Sequence, residues 1–161
     1  MRSLFVLFMV LLCSCSTGYQ KYNSFSGGFS ESRLDEHIYR VSFEGNGFTS
    51  VQKASDMTMM RASELTARAG YRYFGIISQN QYTNKIEWKQ PSTTYISGTA
   101  RSTGNNQIQY NARANTNGGQ TNVISKPGES IMIYMLKAKP SDVFVYDAVF
   151  VYEQMYNKYI E

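Results

Sequence analysis

The side chains able to do chemistry are few and unevenly placed. One histidine, His37, follows Asp35 and Glu36. Two cysteines, Cys13 and Cys15, lie close to the N-terminus, and Lys85, Trp88, Lys89, Arg101 and Arg113 scatter basic and aromatic groups through a polar stretch. A single imidazole removes every metal site built on several histidines, so no metal and no cofactor is expected. Asp35-Glu36-His37 has the composition of an acid–base cluster. Neighbours on an extended chain point to opposite faces, however, so Glu36 and His37 should not converge. No catalytic residue is assigned, and the protein is expected not to be an enzyme. The alternative kept in that class is a hydrolase working through Asp35, Glu36 and Glu64, which needs a pocket where these carboxylates meet. Gly45-x-Gly47 lies between a strand and a helix but lacks the third glycine of a dinucleotide-binding fingerprint.

Arg2 followed by the unbroken apolar run Leu4 to Leu12 is the pattern of a targeting segment, residues 1–14. As a helix the run would span about 14 Å, roughly half a bilayer core, too little for a stable transmembrane helix. It closes on Leu12-Cys13-Ser14-Cys15, which resembles the lipobox of bacterial lipoproteins, where a cysteine after a small residue is lipidated and becomes the mature N-terminus. Ser14 makes Cys15 a better acceptor than Cys13, which follows bulky Leu12. An ordinary secretory peptide with a cysteine nearby is the plainer alternative. Lipidation implies several fatty chains, palmitate among them; one chain holds marginally, whereas two or more anchor stably. Ser16 stands where an aspartate would signal retention in the inner membrane, so the resemblance implies the outer membrane, facing the periplasm. Processing at Cys15 would remove Cys13 and consume Cys15, leaving no disulfide, thiolate ligand or cysteine nucleophile.

The elements that must position the rest centre on Val41 to Gln79. Arg40-Val41-Ser42-Phe43 alternates polar and apolar residues, as a half-buried strand does. Gly45-Asn46-Gly47 supplies a turn. Thr49-Ser50-Val51-Gln52 has the spacing of a capping box, with a helix beginning near Ser50. Val51, Ala54, Thr58, Ala62, Leu65 and Ala69 form one stripe of mostly small residues that lets the helix lie close to a sheet. Met57, Met59 and Met60 fall off that stripe, either as a soft contact surface or covered by another part of the chain. Gly70 fits a left-handed helix terminus, and Tyr71 to Ser78 reads as a central strand, apolar on both faces. Strand, helix and strand imply a parallel pair with a right-handed crossover.

From Asn80 to Gly128 the composition turns to Asn, Gln, Thr, Ser and Gly. The alternating stretches Thr93 to Arg101 and Gln107 to Ala114 flank Thr103-Gly104-Asn105-Asn106, which suits a polar hairpin arm. A disordered insertion suits the composition equally well. The chain carries a net charge of +4. Residues 81–128 hold Lys85, Lys89, Arg101, Arg113 and Lys126 against Glu87 alone, so the basic bias sits there. Lys85, Trp88, Lys89, Arg101 and Arg113 are therefore candidate contacts for an anionic cell-wall polymer, a lipid head group or an envelope protein; a solvated arm with no ligand is the plainer reading. Nucleic acid is not expected. Ser130 to Lys137 reads as a strand covered on both faces. After Pro140, Asp147 can cap a last helix with Ala148, Val151, Tyr152, Met155 and Tyr159 on one face, although Val143 to Val151 also suits a strand.

Several ordered motifs resemble a family of small, largely uncharacterised lipoproteins of Gram-negative bacteria. They are Thr17-Gly18-Tyr19, Gly27-Gly28-Phe29-Ser30-Glu31 with Arg33-Leu34-Asp35-Glu36, Arg40 to Phe43 with Gly45 to Ser50, Ala62 to Thr66, Gly70 to Phe74, and Tyr146-Asp147-Ala148. The resemblance implies an address and no activity. Together these readings give a signal peptide over 1–14, a tether over 15–34 and one α+β domain over 35–161. The expected fold is a two-layer β-α-β-β-α sandwich with an insertion at about 80–128. The expected function is a non-enzymatic binding or structural role in the envelope. Self-assembly through the arm is an alternative.

Overall fold

Tyr39, Val41 and Phe43 alternate with polar residues and form the middle of strand β2 (Ile38–Glu44), as the spacing predicts. In the computed structural model, which describes residues 16–102 and 108–160, β2 is preceded by β1 (Gly28–Arg33) and followed by helix α1 (Val51–Arg68). Then come β3 (Tyr73–Lys89), β4 (Thr93–Ser102), β5 (Ile108–Asn117), β6 (Thr121–Leu136), β7 (Tyr146–Asp147) and helix α2 (Ala148–Tyr159). The targeting segment and Cys15, and the turn at 103–106, lie outside the described residues. Two compact units result, one of Lys85–Ile124 and one of the chain on either side. The protein is α+β, with a five-stranded sheet in the order β1-β2-β6-β3-β7 and a two-stranded sheet β4-β5.

Local chemistry sets the helix ends. Ser50, not Thr49, is the N-cap, accepting from the Lys53 amide at 3.1 Å. Gln52 does not close a capping box; its amide reaches Asp56 at 2.8 Å. At the other end Gly70 takes φ +80°, its amide bonds Ala67 O, and the Tyr71 amide bonds Thr66 O, a Schellman motif. Asp147 caps α2 by accepting from Val149 and Phe150, and this settles the last segment as helix.

Strand pairing departs from the expected unit. β6 lies between β2 and β3, antiparallel to β2 with Val41 opposite Ile131 and Tyr39 opposite Ile133. The crossover through α1 therefore skips one strand position. The physical reason is burial: Ile131, Ile133 and Met135 are all nearly inaccessible, and a central place in the sheet provides that.

Nor are residues 16–34, the described part of the expected tether, free of the fold. Thr17 is buried, the Tyr22 amide bonds Phe29 O and the Phe29 amide bonds Gln20 O, and Gly28 opens β1, which pairs with β2. Gly27 (φ +79°) and Gly28 (φ +133°) look like linker residues. They are needed because a Cβ would strike the backbone of Glu44 and Gln20.

One face of the five-stranded sheet carries the core. Val41, Phe74, Ile131, Ile133 and Met135 pack with Ala62 and Ala148, and Phe29 and Phe43 pack with Ala54, Met57 and Met60. Tyr152, Met155 and Tyr159 of α2 cover the second group, so the methionines of α1 are buried by the same chain. Val51 and Ala69, expected on the buried stripe, are exposed. Among the described residues of this unit no further layer covers the opposite face, contrary to the expectation for 71–78 and 130–137. Ile77 is exposed, and Met132, Tyr134 and Leu136 are half-buried. Tyrosines fill part of this face, with Tyr134 lying where a Cβ on Gly75 would be and Tyr82 likewise over Gly128.

Met60 is fully buried and Phe48 is 75 % exposed. Met60→Ala should cost about 2–5 kcal/mol in urea unfolding, whereas Phe48→Ala should stay within about 0.5 kcal/mol. Equal effects would contradict the packing described.

Candidate functional site

The most concentrated set of charged groups lies under α1. Arg61 is 7 % exposed because its stripe faces β1, and it bonds Glu31 at 2.8 Å and Glu64 at 2.6 Å. Its guanidinium sits 4.1 Å from the centre of the Phe29 ring. Glu64 also meets Arg68 at 2.6 Å and accepts from the Tyr19 hydroxyl. Burial opposes charge on Arg61 and Glu64, yet hydrogen bonds to Glu31 and Glu64 hold Arg61 above its ordinary value, and hydrogen bonds from Tyr19 and Arg61 hold Glu64 below its own. Burial and the neighbouring Glu64 push the Tyr19 phenol upward, so it stays protonated and donates. Every charge here has a partner, and the arrangement acts as a clasp between the N-terminal residues, β1 and α1.

A second lock joins the helices. Asp56, itself buried, accepts from Lys158 at 2.7 Å, Tyr159 at 2.6 Å and Gln52 at 2.8 Å. Burial would raise its pKa, but these bonds from Lys158, Tyr159 and Gln52 bring it below the usual value.

The sequence-derived candidates do not assemble into one site. Asp35, Glu36 and His37 lie in the bend between β1 and β2, where the chain is not extended. This corrects the expected divergence of Glu36 and His37: the turn brings Glu36 Oε2 and His37 Nε2 to 4.0 Å. His37 Nδ1 meets the Tyr71 hydroxyl at 2.6 Å, with both groups exposed. Glu64 shares no partner with Asp35 or Glu36, so the three carboxylates of the hydrolase alternative do not converge. Among the described residues no three His, Cys, Asp or Glu side chains are grouped to hold a metal ion.

Lys85, Trp88 and Lys89 lie on the last residues of β3, all exposed. Arg101 pairs across the hairpin with Gln109 and Arg113 with Ser97, which puts both arginines on one face, about 14 Å apart along the ladder. Arg113 lines a shallow groove of about 500 Å³ with Ser97, Gly98, Thr99, Asn111 and Ala112.

Two features carried no warning in the sequence. On the uncovered face of the five-stranded sheet, Tyr22, Ser30, Ser42, Glu44 and Tyr82 border a cleft of about 240 Å³. Burial, with the Glu44 charge, raises the Tyr82 phenol, and Asn84 donates to Glu44 at 3.1 Å. On the covered face Glu129 is 1 % exposed; one oxygen accepts from Gln79 and the other has no partner among the described residues. Even-numbered positions of β1 and β2 line the cleft, a pattern visible in sequence only once the pairing is known.

The fold and these sites define a small α+β protein with a one-sided core. Neither a family model, nor a curated protein, nor a solved structure matches the chain.

Asp56 and Glu64, lowered from 3.8 and 4.5, contribute stability above those unfolded values and lose it as pH falls through the folded ones. Arg61→Ala, which takes the buried cation away from Glu31 and leaves Glu64 with Arg68 and Tyr19, should cost about 3 kcal/mol at neutral pH. Near about pH 3, below the unfolded value of Glu64, the deficit should shrink. A deficit independent of pH in denaturant titrations would contradict the clasp.

Proposed function

We propose that the protein is a lipoprotein of the family its motifs resemble, anchored through Cys15 to the outer membrane and facing the periplasm. Its role is non-enzymatic: the body binds or braces another envelope component. The observation that carries this reading is the junction at Thr17. The apolar run and lipobox end two residues before it, and Thr17 is already buried, bonded to Ser26 O at 2.5 Å and to the Asn46 amide at 2.8 Å. The segment upstream is thus set apart from the fold by composition, as a processed anchor would be. The carboxylates and the imidazole best suited to catalysis are paired or dispersed, which favours binding over turnover. In chain order, β2, α1, β3, β6 and α2 read as a two-layer β-α-β-β-α core, with the β4–β5 unit inserted between its second and last strands. That unit supplies the contacts with an envelope protein or anionic polymer, through Lys85, Trp88, Lys89, Arg101 and Arg113.

A second reading, assembly of copies through the arm, is favoured by the register of β4 and β5. The arm is not uniformly polar. Ile96 opposite Ala114, Gly98 opposite Ala112 and Ala100 opposite Tyr110 make one exposed apolar face, while Arg101, Arg113, Ser97 and Asn111 share the other. A two-stranded sheet also leaves an edge open on each strand.

Growth with labelled palmitate should mark the wild-type protein and leave Cys15→Ala unlabelled; label on the variant would refute the anchor. In the same cells, photo-crosslinkers at Arg113 and Ile96 separate the two readings. A foreign partner at Arg113 supports binding, and self-adducts at Ile96 support assembly.

A further inference from the structure

We propose that the end of the body around Thr17 is a membrane-contact surface, with Phe25 and Phe48 entering the interfacial layer of a phospholipid bilayer. Its orientation rests on the anchor at Cys15 proposed above.

Phe25 is 93 % exposed and Phe48 75 % exposed. Single exposed apolar residues need no explanation, but these two lie on loops that meet at one side chain. Thr17 Oγ1 donates to the carbonyl of Ser26, the residue after Phe25. The same oxygen accepts from the Asn46 amide, and Asn46 Oδ1 accepts from the Phe48 amide at 3.0 Å. Both loops are held in shape, since Asn23 Oδ1 accepts from the Phe25 and Ser26 amides at 3.1 and 2.8 Å. The rings are therefore presented to solvent by fixed backbone, with little ordering left to be lost on insertion.

The position of the anchor supplies the occupant. One residue, Ser16, separates Thr17 from Cys15, two steps and at most about 7 Å of extended chain. Acyl chains on Cys15 would bring a bilayer surface to this node, leaving no length for a linker. Lys53 reaches Ser16 at 2.7 Å at this end, where a cation favours anionic head groups, and Glu44, the carboxylate at this end of the β1–β2 ladder, is half-buried and accepts from Asn84. Asp35 and Glu36 lie at the opposite end of the β1–β2 ladder, whose register runs from Gly28↔Glu44 near Thr17 to Arg33↔Tyr39 beside them. Val51, half exposed at the first turn of α1, widens the apolar patch.

The test uses the full chain carrying Trp88→Phe, so that one introduced indole reports alone. Phe25→Trp, Phe48→Trp and Leu34→Trp are each prepared and bound to vesicles of phosphatidylethanolamine and phosphatidylglycerol with brominated acyl chains. Tryptophan at 25 and at 48 should shift to the blue and lose most of its emission, while tryptophan at 34, beside Asp35, should keep its own. Equal emission at all three positions overturns the proposal. So does a change at 25 or 48 that follows protein concentration without vesicles, which would assign the patch to a second copy. Mass spectrometry of Cys15 in the same samples separates the two claims: acylated protein unquenched at 25 and 48 defeats the contact surface alone. Quenching at those positions in unacylated protein supports the surface and defeats the anchor. Absence of both defeats each.

Discussion

The guanidinium of Arg61 is the joint on which the architecture depends. Held between Glu31 of β1 and Glu64 of its own helix, above the Phe29 ring, it fixes the first strand against α1. Through Glu64 it also fixes Tyr19, and the Thr17 network closes the same segment from the other side. A charge this deeply placed is tolerated only because its hydrogen bonds are met on both flanks. The consequence is that the chain is held in the fold from its first described residues, Ser16 and Thr17.

That fixity separates two kinds of surface. In the unit around α1, polar groups are committed to holding elements together: Arg61 and Asp56 in their clusters, and Ser42 with Ser130 across the sheet at 2.8 Å. In the unit of residues 85–124, β4 and β5 are exposed along their whole length, and their side chains are sorted by face. A short hairpin gains little stability from its own contacts. Sorted faces and open edges there are what the proposed envelope contacts would use.

What could be read in the sequence followed from local chemistry. The helix over 51–68, its glycine stop at Gly70, the Asp147 cap and the two strands flanking residues 103–106 each depend on residues within a turn of one another. What could not be read depended on distant pairing. Gly27-Gly28 has linker composition, and only the nearness of the Glu44 and Gln20 backbones shows why glycine is required. Ser130 to Lys137 was legible as a strand, but its place between β2 and β3 is fixed by long-range burial. Arg61 and Glu64 carry an ordinary i,i+3 spacing, and nothing in it discloses that the pair is buried under β1. The bend at 34–37 likewise reverses an inference that held only for extended backbone.

Residues 16–34 are part of the fold rather than a leash. Amide hydrogen exchange of the full-length protein measures this residue by residue. The Thr17 and Phe29 amides, bonded to Thr49 Oγ1 and to Gln20 O, should be protected to a degree comparable with the amides of β2. Exchange of Thr17 through Phe29 at the rate of an unstructured peptide, beside a protected β2, would contradict it.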